Sequence, residues 1–270
     1  MDAIIANLVL TQTVQMEVNK TYNESNLDTM AKMPNGFIDL TVTSPPYDEL
    51  RTYNGYFLDF TSIAQELYRV TKEGGIVVWV VGDSTVDGSE SGTSFRQALF
   101  FKSMGFKLHD TMIWRKPDAK PLTHNRYEQS FEFMFVFSKG KPKTFNGIRD
   151  KPNKWAGTNE HGTWRDTDGT MQRKSGHNSK VISDFGLRHN TWDILTVKNN
   201  KFKHPAPFPE QLANDHILSW SNEGELVYDP FAGSGTTLKM AKQNNRNYIG
   251  SEISNEYCEI INKRINGELF

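Results

Sequence analysis

Val227-Tyr228-Asp229-Pro230-Phe231-Ala232-Gly233-Ser234-Gly235-Thr236-Thr237 runs from an apolar strand through a tight glycine turn into a helix, and this reading decides the fold. Glycine permits positive φ and lets the backbone approach a ligand closely. Downstream, the helix reads on to about Gln243, Tyr248 to Glu252 reads as the next strand, and Asn255 to Ile265 as a terminal helix. Upstream, a helix near Glu210 to Trp220 precedes the strand Leu226 to Tyr228. Nearer the N-terminus, Phe37 to Thr43 is a short β-rich run that ends at Ser44-Pro45-Pro46. Phe60 to Val70 carries Ile63, Leu67 and Val70 at helical spacing, and Gly74-Gly75 is expected to stop that helix. Ile76 to Val81 is a continuous apolar run, mostly β-branched, the pattern of a strand covered on both faces. A helix over Ser94 to Met104 and strands over Lys107 to Trp114 and Phe131 to Phe137 complete the pattern. Alternating helices and buried-type strands predict an α/β fold with a doubly wound, mainly parallel sheet.

The chain has 270 residues, 37% of them hydrophobic, with 17 Phe, 9 Tyr and 6 Trp, enough to bury a core and to exclude global disorder. Its length suits one large domain or a domain with a long insertion. The lone Cys258 cannot form an internal disulfide, and no Cys/His spacing of a zinc site occurs. No apolar run is long enough to cross a bilayer. Met1 to Leu10 is mildly apolar but has no basic residue and no secretory layout. The expectation is a soluble, cytoplasmic protein with no membrane partner. A net charge of −1 hides an asymmetry, because Lys139 to Lys203 holds 14 Lys and Arg against 6 Asp and Glu, a surplus of eight positive charges. That stretch is either a solvated, loop-rich insertion or a surface for a polyanion.

Glu252 lies 17 residues beyond Gly235, at the end of the next strand, where doubly wound folds place an acid on ribose hydroxyls. No Gly-Lys-Ser/Thr follows the turn, which speaks against a phosphate loop, and the third glycine of the dinucleotide pattern is absent. A nucleoside ligand fits better than one with a pyrophosphate on the helix end. Thr43-Ser44-Pro45-Pro46-Tyr47 is a second constellation. Its prolines remove two backbone donors and turn the chain out of the sheet. Their carbonyls remain as acceptors beside the Ser44 hydroxyl and the Tyr47 ring, a set suited to a planar base with an amino group. A strand stopped by prolines accounts for Pro45 and Pro46 but not for the whole set.

Thr43 to Tyr47 (TSPPY) together with Asp229 to Thr237 (DPFAGSGTT) resembles the DNA amino-methyltransferases. The catalytic tetrapeptide precedes the cofactor loop with the basic region between them, an order similar to the family's permuted beta group. His204-Pro205-Ala206-Pro207-Phe208-Pro209 is similar to the segment that contacts the methionine part of the cofactor, and Tyr248 to Glu252 to the strand bearing the ribose acid. Arg126-Tyr127-Glu128 through Lys139 resembles the strand that closes the target pocket. The resemblance implies a Rossmann-like methyltransferase fold, S-adenosylmethionine as cofactor, no metal, and double-stranded DNA as partner. It also allows a cognate restriction nuclease and a homodimer. It implies a catalytic half over residues 1–138, a target-recognition insertion over 139–203 and a cofactor-binding half over 204–270.

By the same resemblance Ser44, Pro45, Pro46 and Tyr47 are catalytic: Ser44 and the Pro45 carbonyl accept the amine's N–H bonds, and Tyr47 stacks on the flipped base. Asp229, Phe231, Ala232, Gly233, Ser234, Gly235, Thr236, Thr237 and Glu252 would hold the cofactor, with His204, Ala206, Pro207 and Phe208. Serine before Pro-Pro-Tyr favours N4 of cytosine, with N6 of adenine as the alternative on the same scaffold. RNA or protein-glutamine methylation fits neither Ser44 nor the motif order, and a catalytically dead DNA-binding module fits poorly with two intact motifs. The family often places an acid near the cofactor adenine after the N-terminal strand. Here that run is Asn23-Glu24-Ser25-Asn26, and no adenine contact is assigned. Trp164, Trp192 and Cys258 are expected to be packing residues, Phe231 a plug beside the cofactor, and Asp83 is left without a role.

Overall fold

Eight strands share one sheet: β1 (Lys20–Tyr22), β2 (Ile38–Thr43), β3 (Thr71–Val81), β4 (Lys107–Arg115), β5 (Phe131–Ser138), β6 (Thr191–Asp193), β7 (Leu226–Asp229) and β8 (Asn247–Ser251). They lie in the order β1-β8-β7-β2-β3-β5-β4-β6. Only β5 runs antiparallel to its neighbours; every other adjacent pair is parallel. The helices are α1 (Asn26–Lys32), α2 (Phe60–Val70), α3 (Thr93–Ser103), α4 (Glu210–Trp220), α5 (Thr236–Gln243) and α6 (Asn255–Ile265). The computed structural model describes residues 16–46, 58–119, 125–159, 163–173, 181–198 and 209–268. No helix among them is long and apolar enough to cross a membrane.

The two-residue period of the strands sorts the core into two layers. Ile76, Val78 and Val80 of β3 join Leu40, Val42, Met134 and Val136 beneath Leu212 and Ile217 of α4, Leu238 of α5 and Ile261 of α6. Val77, Trp79 and Val81 face the other way, with Phe135, Phe137 and Tyr228 against Met30 of α1, Ile63 and Leu67 of α2, and Phe101 of α3. The sheet is therefore doubly wound, as the buried run at Ile76 to Val81 requires. Trp79 anchors the second layer, with its ring 5.1 Å from Phe101 and its Nε1 donating to Gln97 Oε1 at 2.8 Å. Truncating it to alanine would cost roughly 3–5 kcal/mol.

Gly74-Gly75 does not stop α2, which corrects the expectation from sequence. The helix ends four residues earlier, where the Thr71 N–H and hydroxyl both donate to Leu67 O. The glycines instead sit inside β3, where the register against β2 shifts between Ile38↔Thr71 and Leu40↔Ile76. A Cβ on Gly75 would fall 2.9 Å from Asp39 O and 3.0 Å from Lys72 O, so the two backbones meet where a side chain has no room. Two short elements, β1 and α1, carry too few residues to show periodicity and appear only in the structure.

The basic stretch starts directly after β5 and returns to the sheet at β6. At its end, β6 pairs with β4 in parallel register (Thr191↔Ile113 to Asp193↔Arg115), and Trp192 is buried in the first core layer as the packing residue expected. Between, Arg149–Pro152 pairs antiparallel with Phe185–Leu187 as a two-stranded ribbon, and Thr163–Arg165 pairs with Met171–Arg173. The Trp164 side chain lies outside the described features. Asn146 fastens the ribbon's base to the end of α4, its N–H reaching Ser219 O at 2.8 Å and its amide Leu218 O at 3.1 Å.

Candidate active site

Parallel strands bring their carboxyl ends to one edge, and β2, β7 and β8 are neighbours there. Sequence-distant segments meet as a consequence: Ser44 follows β2, the glycine turn follows β7, and Glu252 follows β8. Ser44 and Pro46 are half-buried and Pro45 is buried. Tyr47 lies outside the described residues, as do His204, Ala206, Pro207 and Phe208.

The contact that joins the two constellations is between Thr43 and Asp229, 186 positions apart. Thr43 Oγ1 donates to Asp229 Oδ1 at 2.6 Å, and the Phe231 N–H donates to the same oxygen at 3.0 Å. Asp229 is almost wholly buried, and its Oδ2 makes no hydrogen bond among the described residues. Thr237 lies close enough to lower its pKa, yet the Thr237 hydroxyl donates to Val42 O at 3.1 Å. Burial outweighs these donors and pushes the carboxyl up to about 6. The site thus holds a buried acid that keeps its proton to higher pH than a free aspartate, with one oxygen unanswered.

Glu252 is the second acid. Its Oε2 accepts the Gly233 N–H at 2.8 Å and its Oε1 the Ser254 N–H at 2.9 Å. Burial raises its pKa, the two backbone donors oppose that, and the negative charge of Asp229 adds to it. Each carboxylate oxygen retains a further lone pair for a ligand. The pair puts two carboxyl groups beside the turn, one buried and one half-buried.

The turn itself needs its glycines. Gly233 has φ +51° and Gly235 φ +81°, and a Cβ on Gly235 would press Ile261 at 2.9 Å. The turn is held from behind by α6, where buried Arg264 donates to Ser234 O at 2.6 Å and to Glu210 Oε1 at 2.7 Å. The Ala232 N–H bonds Ser251 O at 3.0 Å, locking the turn to β8. Phe231 packs its ring 6.2 Å from Trp79, so one face belongs to the core. Thr236 and Thr237 are buried at the start of α5.

Several residues of the edge have no local signature. Asn26 Nδ2 donates to Pro230 O at 3.2 Å, and Asn23 Nδ2 to Glu252 O at 2.9 Å and Ile253 O at 3.1 Å. The Asn23-to-Asn26 run thereby braces both acid-bearing loops. Thr43 carries a signal only in its place beside Ser44, and Arg264 carries none. Asp83 turns out to cap α3, accepting the Ser94 N–H at 3.0 Å and the Ser91 hydroxyl at 3.1 Å. Cys258 is buried with its thiol pushed up to about 11, chiefly by burial, and its Sγ lies 3.6 Å from Glu252 O. It is inert.

Comparison with known proteins agrees with this geometry. A family model described as DNA methylase matches residues 38–263. The orphan methyltransferase M.BamHII of Bacillus amyloliquefaciens is 59% identical over 236 residues, covering 84% of this chain and 88% of that protein. The type II methyltransferase M.BglII of Bacillus subtilis is 27% identical over 269 residues, covering 94% and 71% respectively. Among solved structures, the cytosine-N4-specific PvuII DNA methyltransferase superposes with a TM-score of 0.67 at 22% identity, covering 94% of each chain. The M1.HpyAVI–SAM complex gives 0.61 at 22%, covering 92% of this chain and 98% of that one. These likenesses give the sheet and its helices the Rossmann-like methyltransferase architecture.

Proposed function

The chain belongs to the DNA methylase family, and from that premise we propose that it methylates the exocyclic N4 amine of a cytosine flipped out of duplex DNA, with S-adenosylmethionine as donor. The observation that carries this reading is the Thr43–Asp229 hydrogen bond, which ties the Ser-Pro-Pro loop to the glycine turn. A base-facing set of acceptors and a nucleoside-facing turn are thus built as one edge.

The residues present fit the cofactor. Its ammonium group suits the unanswered Asp229 Oδ2, and its ribose diol suits the spare lone pairs of Glu252. Phe231, Ala232, Gly233, Ser234, Gly235, Thr236 and Thr237 would line it, with His204, Ala206, Pro207 and Phe208 on its methionine side by family resemblance. When bound, the sulfonium supplies an electrophilic methyl group.

The protein's own part is positioning and electrostatics. An exocyclic amine is a poor nucleophile because its lone pair is delocalised into the ring. The Ser44 hydroxyl and the Pro45 carbonyl accept its two N–H bonds and draw the nitrogen towards a tetrahedral shape, freeing the lone pair. No covalent bond to the protein is needed. The base reaches this depth only by leaving the helix, and Tyr47 gives it a stacking surface. Ser44 favours cytosine over adenine, and the Lys139–Lys203 segment serves as the target-recognition surface.

The test is direct. Incubation of the full chain with labelled S-adenosylmethionine and bacterial genomic DNA, followed by digestion to nucleosides and mass spectrometry, should yield N4-methylcytosine. N6-methyladenine would move the reading to the other base. No labelled nucleoside of either kind would end it.

A further inference from the structure

The basic segment contains two kinds of cation. Lys139 and Arg188 are engaged within the fold. Lys139 Nζ donates to Tyr68 O at 2.7 Å and Thr71 O at 3.0 Å, while Arg188 binds Asp150 at 2.8 Å and Asp215 of α4 at 2.6 Å. The second kind sits on the ribbon that Arg188 fastens down. Arg149, Lys151 and Lys154 are exposed and have no acidic partner among the described residues. Of the acids on the ribbon, Asp150 is held by Arg188, and Asp184 is exposed with its backbone O taken by the Asn153 N–H.

At the far end of this ribbon, away from α4, the turn Lys154-Trp155-Ala156-Gly157 carries an indole that is 64% exposed. The turn is firmly built. The Gly157 N–H bonds Ile182 O at 2.9 Å, and the Ile182 N–H bonds Thr158 O at 2.9 Å. The Thr158 hydroxyl closes on Trp155 O at 2.7 Å. Asn153 adds bonds to Asp184 O at 2.9 Å and Ser183 O at 2.8 Å. Lys154 Nζ lies 5.4 Å from the indole centroid. A rigid turn that holds a large aromatic ring in water, with cations beside it, has the composition of a nucleic-acid contact. A two-stranded ribbon also has the width that the major groove of duplex DNA admits.

We infer that Trp155 is a DNA-contacting residue whose ring wedges into a base step of the bound duplex and stacks on the base face that this opens, while Arg149, Lys151 and Lys154 neutralise phosphates around it. This rests on the DNA-methyltransferase reading and adds to it the element that enters the groove. Stacking is sequence-tolerant, so Trp155 supplies affinity, and discrimination falls to other side chains of the segment.

The test uses the full chain with Trp155→Ala, Trp155→Phe and Lys151→Gln. Methylation of bacterial genomic DNA by the wild type judges the parent reading alone. With the methylated site mapped, binding to a short duplex carrying it is measured across a salt series. Trp155→Ala should weaken binding about tenfold or more at every salt concentration, and Trp155→Phe should recover most of the loss. Lys151→Gln should lower the slope of log affinity against log salt by roughly 0.9. Calorimetric affinity for S-adenosylmethionine and the circular-dichroism melt should match wild type in all three. Equal duplex affinity for Trp155→Ala and wild type, while the wild type still methylates DNA, overturns the inference. So does a change confined to sedimentation behaviour, which would make the indole a protein contact.

Discussion

The sheet edge and the basic ribbon present opposite solutions to binding. At the edge, polar groups are buried and paired with one another: Thr43 with Asp229, Glu252 with the Gly233 and Ser254 N–H groups, and Arg264 with Ser234 and Glu210. On the ribbon, Arg149, Lys151, Lys154 and Trp155 stand in solvent. The difference teaches where each kind of work is done. Chemistry at one atom needs a fixed, desolvated frame, whereas contact with a long polyanion needs outward charge and exposed rings.

The largest effect should come from the edge. Ser44→Ala should cut methyl transfer roughly 10²- to 10³-fold in kcat, as expected for loss of a hydrogen-bonding group facing the reacting atom. Cofactor and duplex affinity should stay near wild type, since the proposal has Ser44 face the reacting amine and not the cofactor. Single-turnover transfer of labelled methyl checks it, and an unchanged rate would remove Ser44 from the reaction.

Glu252→Ala should come next. Loss of a charged acceptor costs on the order of 1.5–3 kcal/mol of cofactor binding, read by calorimetric titration. Because Glu252 also holds the Gly233 N–H of the turn and the Ser254 N–H at the start of α6, Glu252→Gln should fall between the variant and wild type. Equal affinity in all three would move the ribose contact elsewhere.

A third expectation turns on pH. The usual value of an aspartate is 3.8, and Asp229 is pushed up to about 6 by burial. A raised carboxyl pKa means that the folded chain holds the proton more tightly than the unfolded one, so ionisation of Asp229 lowers stability as pH rises from about 4 to about 6. Asp229→Asn removes that penalty. Its unfolding free energy, read from urea titrations, should therefore gain on wild type between those pH values, by on the order of 3 kcal/mol. His216, pushed down to about 3 by complete burial, acts in the opposite direction in both proteins, so only the difference isolates Asp229. A constant difference across the range would mean that Asp229 is not the titrating acid.

The smallest effect should come from the start of the basic segment, where Lys141 is exposed just beyond β5. Lys141→Gln should leave cofactor binding and single-turnover chemistry unchanged. It should reduce the salt slope of duplex binding by roughly 0.9 if Lys141 meets a phosphate. An altered transfer rate at saturating DNA would break the separation between edge and surface.

The positions of α2, α4, α5 and α6 are legible in the sequence because apolar residues recur at helical spacing, although the stop read for α2 is not the one that ends it. The Ile76–Val81 part of β3 is legible as a continuous apolar run covered on both faces, and β2 as a short β-rich run that ends at Ser44-Pro45-Pro46. Gly74-Gly75 misleads because glycine marks both a helix end and a place where two backbones touch, and only the neighbouring Asp39 carbonyl tells them apart.

What the sequence by itself determined is the alternation of elements, the two motifs with their order, and the uneven distribution of charge. All three are local: periodicity, turn chemistry and composition act over a few residues. What only the tertiary structure decided is the pairing of Thr43 with Asp229, the bracing of the loops by Asn23 and Asn26, the grip of Arg264, and the division of the insertion's cations into engaged and exposed. These depend on which strands lie side by side and on which carboxylates lie within about 3 Å of a donor. No stretch of chain carries that information alone, because the partners are brought together by the sheet order and not by their spacing in sequence.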